Sequence, residues 1–167
     1  MKDFNKSSSR KNSFISKVPV CDIESSNIAE RCKFNFSYFE GTQPAGQDFS
    51  QWNAATGICS LNSLMKKCIE YTKQPLSYWQ NQRVGGGGLK VMEVYTIFPE
   101  SSDFTHPPHV PIDVSWARFR LGNKVRVIGF VVSPALVNRF KGKNLDSNTF
   151  YVVFLDKNHV FYKTEDD

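Results

Sequence analysis

The 167-residue sequence predicts an α+β domain, with N-terminal helices packed on a mainly antiparallel β-meander sheet. Apolar residues recur at helical spacing between positions 60 and 72, a run of β-branched and aromatic segments follows from residue 90, and short turn signals separate the later segments at hairpin distance. With 40% apolar residues the chain can bury a core without disulfide or metal staples, and one domain over residues 29–167 is expected.

Residues 1–28 mix Ser, Lys and Asn with scattered apolar positions, so they offer little apolar surface to offset the cost of ordering. A flexible basic arm is expected there. Residues 33–39 alternate polar and aromatic side chains, the period of a half-buried strand, before Gly41 and Pro44-Ala45-Gly46 impose a turn. Leu61, Leu64, Met65, Cys68 and Thr72 then form one apolar stripe of a helix capped by Ser60, expected to pack on the sheet. Pro75 suits the first position of a second short helix, which ends before the four glycines at 85–88. Those glycines lack the Gly-Lys-Ser/Thr of a phosphate loop and lead into a strand where that motif leads into a helix, so they read as a hinge or mobile loop.

Strands are expected over residues 90–98, 115–121, 125–132 and 149–155, with a shorter fifth over 159–164. Gly122-Asn123 and Lys157-Asn158 lie at hairpin turns between them. Residues 134–140 read either as a helical turn or as a loop.

The net charge is +5, and its distribution narrows the partner class. Residues 115–144 carry seven cations, Arg118, Arg120, Lys124, Arg126, Arg139, Lys141 and Lys143, and no acid, whereas the chain ends in Glu165-Asp166-Asp167. Such a stretch suits a polyanion, because Lys and Arg release condensed counterions from phosphates. Alternation places Arg118 and Arg120 on one strand face and Ala117, Phe119 and Leu121 on the other. A two-residue turn at Gly122-Asn123 would pair Arg126 with Phe119 on the opposite face; a bulged three-residue turn would bring Arg126 alongside Arg118. Both registers are open in the sequence.

Several chemistries find no support. No apolar run reaches the length of a membrane span, and no signal-peptide core is visible, which points to a cytoplasmic protein with no membrane partner. Cys21, Cys32, Cys59 and Cys68 have neither redox-pair nor zinc-ligand spacing and read as free thiols. His106 and His109 are too few for a structural metal, so neither a metal nor another cofactor is expected. No nucleophile elbow or carboxylate pair stands out. What remains is proton transfer by His159 or Tyr162 beside cations such as Arg120, a combination able to serve attack by a ribose 2′-hydroxyl without a metal.

The segment Trp116-Ala-Arg-Phe-Arg-Leu-Gly-Asn-Lys-Val-Arg-Val-Ile-Gly-Phe, followed by Tyr151-Val-Val-Phe-Leu and His159-Val-Phe-Tyr-Lys, resembles bacterial toxins of the RelE/ParE type over about residues 58–164. Those toxins are similar in fold to the barnase-like metal-independent ribonucleases. The resemblance implies an endoribonuclease acting on ribosome-associated messenger RNA and held in check by a cognate antitoxin protein. Arg118, Arg120 and Arg126 would hold phosphate, and His159 or Tyr162 would handle protons. The other reading is a non-catalytic module that binds nucleic acid or protein through the same basic face, including a regulatory or immunity-like protein whose acidic tail engages a partner.

Overall fold

The computed structural model describes residues 8–86 and 88–163; residues 1–7 of the arm and the acidic tail Glu165–Asp167 lie outside the described residues. Within the segment read as an arm, helix α1 (Ser9–Ile15) buries none of its side chains. Strand β1 (Lys33–Asn35) is shorter than its alternating pattern. The Asn35 carboxamide accepts the Ser37 N–H, and the Phe39 N–H turns back to the Phe36 carbonyl, so the backbone leaves the sheet.

Helix α2 (Phe49–Ala54) starts with a reciprocal capping box between Asp48 and Gln51. One 3-10 turn, Gly57–Cys59, leads into α3 (Leu61–Tyr71), where the Ser60 hydroxyl accepts the Ser63 N–H. Helix α4 (Leu76–Asn81) follows Pro75 and is tied to α3 by the Trp79 indole N–H, which donates to the Tyr71 carbonyl at 2.7 Å. Of the expected helical stripe, Leu64 and Cys68 are buried and Leu61 packs partly, but Met65 is 46% exposed. Tyr71 takes the inward position instead, because a 3.6-residue period carries the buried line from Leu64 through Cys68 to Tyr71 and leaves Met65 on its flank.

Gly85, Gly86 and Gly88 lie at the tip of a small hairpin, β2 (Arg83–Val84) with β3 (Leu89–Lys90), which forms a sheet of its own and not a direct hinge into the main one. Strand β4 (Met92–Val94) is therefore only the middle of the expected 90–98 strand. It is followed by β5 (Ser115–Gly122), β6 (Val125–Val131), helix α5 (Pro134–Arg139), a 3-10 turn Lys141–Lys143, and β7 (Thr149–Asp156). Strands β4 to β7 form the antiparallel meander, and β1 adds to its β7 edge in parallel, giving the order β1-β7-β6-β5-β4.

The expected fifth strand over 159–164 is absent among the described residues, and so is the hairpin at Lys157-Asn158. Asp156 is the reason. Its buried carboxylate accepts the N–H groups of Asn158, Val160 and Phe161, which wraps the chain into a tight turn with His159 at φ 63°, in the left-handed region.

Both sheet faces are covered. Phe119, Val127, Phe150 and Val152 lie under the helices against Trp52, Leu64 and Tyr71, with Tyr71 stacked on Phe119 at 4.4 Å. Trp116, Ile128, Phe130 and Phe154 lie under the Pro-rich connection between β4 and β5 and under Phe161. No helix among the described residues is long and apolar enough to cross a membrane.

A bulge in β7 sets which side chains reach each face. Ile128 pairs with Phe154 and Gly129 with Val152, so Val153 is the extra residue. A Cβ on Gly129 would stand 2.0 Å from the Tyr151 carbonyl oxygen, which belongs to the backbone and cannot step aside. Gly129→Ala is therefore expected to destabilise the fold by about 1–3 kcal/mol or more, read as a lowered urea midpoint at unchanged slope.

Candidate anion-binding site

The loop-covered face is apolar at its centre and basic at its hairpin end. Its basic end begins with the turn joining β5 and β6. The register shifts between Arg120 and Gly122, so that Arg120 pairs directly with Arg126. The facing is that of the bulged alternative, although the extra residue is Leu121 within β5 and the turn itself is the two residues Asn123 and Lys124: Arg118, Arg120 and Arg126 share one face, opposite to Phe119 and Val127. Two guanidinium-bearing residues directly opposite each other repel, so the arrangement depends on what surrounds them.

Arg118 is 9% exposed and is held from two sides. Its Nη2 donates to Glu93 Oε2 at 2.6 Å across the β4–β5 pair, and its Nε donates to the Tyr95 hydroxyl at 2.5 Å. Lys90 reaches the other oxygen of Glu93 at 3.2 Å. Arg126 is 2% exposed; its Nη1 donates to the carbonyls of Gly122, Asn123 and Val125, and it pairs across the strands with Asp156. Arg120 is partly exposed, and its Nη1 donates to the Asn123 carbonyl at 2.9 Å.

After these bonds are made, Arg118 Nη1, Arg120 Nε and Arg126 Nε remain buried with no hydrogen-bond partner among the described residues. Three such donors on three adjacent arginines form an exception to the rule that buried polar groups are paired, and a bound ion is one recognised cause. Electrostatics reinforce the point. Burial pushes the Arg126 guanidinium down to about 10, and Arg120 and Arg118 beside it push in the same direction. Arg120 is lowered for the same two reasons, burial first and then Arg118. Burial alone would raise the Glu93 carboxyl, but Arg118 and Lys90 overcome it and hold that group below its ordinary range.

Tyr162 touches this assembly through Tyr95: their rings stack at 4.9 Å with an interplanar angle of 7°. Tyr162 is 40% exposed, and the neighbouring Lys163 pairs with Asp103 at 2.5 Å. His159 lies in the Asp156 turn and not on a strand face, so its expected alternation with Phe161 and Lys163 does not apply. Lys124 lies in the β5–β6 turn.

Arg139, Lys141 and Lys143 are elsewhere. They follow the opposite end of β6, about 20 Å from the turn by strand rise, on the exposed α5 and the 3-10 turn, with Arg139 over the Phe140 ring. The acid-free stretch of sequence is thus two separate basic regions in space. Sequence reasoning missed Glu93, Tyr95 and Asp156. The alternation of residues 90–98 does place Glu93 and Tyr95 on one face, but nothing in the sequence aligned that face with Arg118.

Cys21, Cys32, Cys59 and Cys68 are free, and burial pushes the Cys32 thiol up to about 12 and the Cys68 thiol to about 11, away from reactive thiolate.

Because Glu93 titrates lower in the folded chain than in the unfolded one, where its value is about 4.3, it contributes stability above that value and loses it as pH falls through the folded one. The difference in urea midpoint between wild type and Glu93→Gln is expected to be constant above about pH 5 and to shrink on further acidification. A difference that grows with acid would contradict the assignment.

Comparison with protein-family models, with curated protein sequences and with solved structures finds no match, so the chemistry of the cluster carries the functional reading.

Proposed function

We propose that the chain is a non-catalytic binding module that takes a phosphate group of a nucleic acid, RNA in the first instance, at the Arg118–Arg120–Arg126 cluster. The observation that carries this reading is the trio of buried guanidinium nitrogens without acceptors among the described residues. An oxyanion would supply acceptors for these nitrogens and negative charge beyond that of Glu93 and Asp156. Arg120 is the contact residue, since it is the most accessible of the three, and Arg118 and Arg126 act from behind it.

A metal-independent endoribonuclease is the second reading, favoured by one contact: the Tyr162 ring stacks on Tyr95, whose hydroxyl accepts from Arg118. A partly exposed phenol stacked on the ring that bonds Arg118 supports this reading as a candidate proton donor.

Titration of a labelled single-stranded RNA across a salt series separates these readings. Arg120→Ala is expected to weaken binding and to flatten the slope of log affinity against log salt by about one unit, with the RNA intact throughout. An unchanged slope would remove the cluster from binding. RNA cleaved in chelator to cyclic-phosphate ends, with the rate falling by about 10²-fold or more in Tyr162→Phe, would establish the nuclease instead.

A further inference from the structure

We propose that the group recognised at the arginine cluster is a terminal phosphate monoester of RNA and not an internal phosphodiester; this deepens the binding-module reading and rests on it.

Access is the first argument. With Arg126 2% and Arg118 9% exposed, Arg120 is the accessible member of the cluster, and among the described residues its Nη1 bonds the Asn123 carbonyl at the exposed edge. A chain end can enter from one side. A phosphodiester carries a ribose on each side and would need an open groove running through the cluster, whereas Glu93 and Tyr95 are bonded to Arg118 on one side and Asp156 stands opposite Arg126 on the other.

Donor number agrees. The three nitrogens Arg118 Nη1, Arg120 Nε and Arg126 Nε carry four N–H bonds without an acceptor among the described residues, and a monoester offers them three terminal oxygens where a diester offers only two non-bridging ones. Charge agrees as well. Arg118, Arg120, Arg126 and Lys90 face Glu93 and Asp156, a surplus of two positive charges among the described residues of the cluster. A monoester carries about −1.5 to −2 at neutral pH and closes that surplus, while a diester supplies a single charge.

The test uses the full chain and three short RNAs of one sequence, bearing a 5′-phosphate, a 3′-phosphate or hydroxyls at both ends, with a phosphoserine peptide as a fourth probe. One phosphorylated RNA is expected to bind about tenfold tighter than the hydroxyl form or better, the worth of one additional charge-assisted hydrogen bond, and inorganic phosphate is expected to compete. Preference for either end supports the proposal and identifies which end is read. Arg120→Gln should erase the preference, and Lys66→Gln, on the exposed side of α3, should leave it. Equal, salt-sensitive binding of all three RNAs overturns the terminal-phosphate proposal and leaves the binding module standing. A preference that survives Arg120→Gln also overturns it. Binding of the phosphopeptide with no RNA bound, or binding of no probe, overturns both.

Discussion

The arrangement of this sheet depends on one backbone contact, the passage of β7 over Gly129. The Tyr151 carbonyl lies where any side chain on that residue would begin, and the strand accommodates the approach by bulging at Val153. Because strand side chains alternate, one extra residue reverses the facing of everything beyond it. Val153 and Phe154 therefore both enter the loop-covered core, Leu155 returns to the helical side, and Asp156 arrives opposite Arg126. In an unbulged strand Asp156 would point toward the helices, and Arg126 would be buried next to Arg120 with no carboxylate across from it. The bulge thus connects the packing of both cores to the electrostatics of the site.

Asp156 then acts in two directions. Its carboxylate gathers three consecutive-turn N–H groups, so it terminates the sheet and turns Phe161 back into the aromatic cluster with Trp116 and Phe98. Its charge also offsets part of the desolvation imposed on Arg126. Glu93 has the corresponding role for Arg118 on the other flank. The central residue, Arg120, has no carboxylate of its own among the described residues, and it and both its arginine neighbours each keep one buried nitrogen without a partner there. Buried like charges cost stability unless they are compensated, and retaining three arginines in one place is readily understood if something else completes the pairing.

The covering layers also restrict what such a site can do. A bare basic sheet would offer a broad platform for a polyanion. Here the connection between β4 and β5 places Phe98, Phe104 and Val110 over the sheet centre, and the remaining cations, Arg139, Lys141 and Lys143, are displaced to the far end of β6. What remains at the hairpin end is the three-arginine cluster, with Arg118 and Arg126 buried and Arg120 partly exposed.

Local pattern in the sequence determined the α+β class, the Ser60-capped helix, the β4–β7 meander and the shared face of Arg118 and Arg120, since each follows from alternation, helical spacing or a cap that acts over a few residues. Local pattern also misled where a short-range competitor intervened. Asn35 and Asp156 capture nearby N–H groups and end strands that alternation would have continued, and helix rotation exchanges Met65 for Tyr71. Tertiary structure alone decided the register at Gly122, which brings Arg126 to the arginine face, and the bulge opposite Gly129, which brings Asp156 to meet it. Both are matters of pairing between strands, and a shift of one residue reverses a face without altering the pattern within either strand. The sequence by itself therefore supplied the arginines, and only the fold decided that they converge.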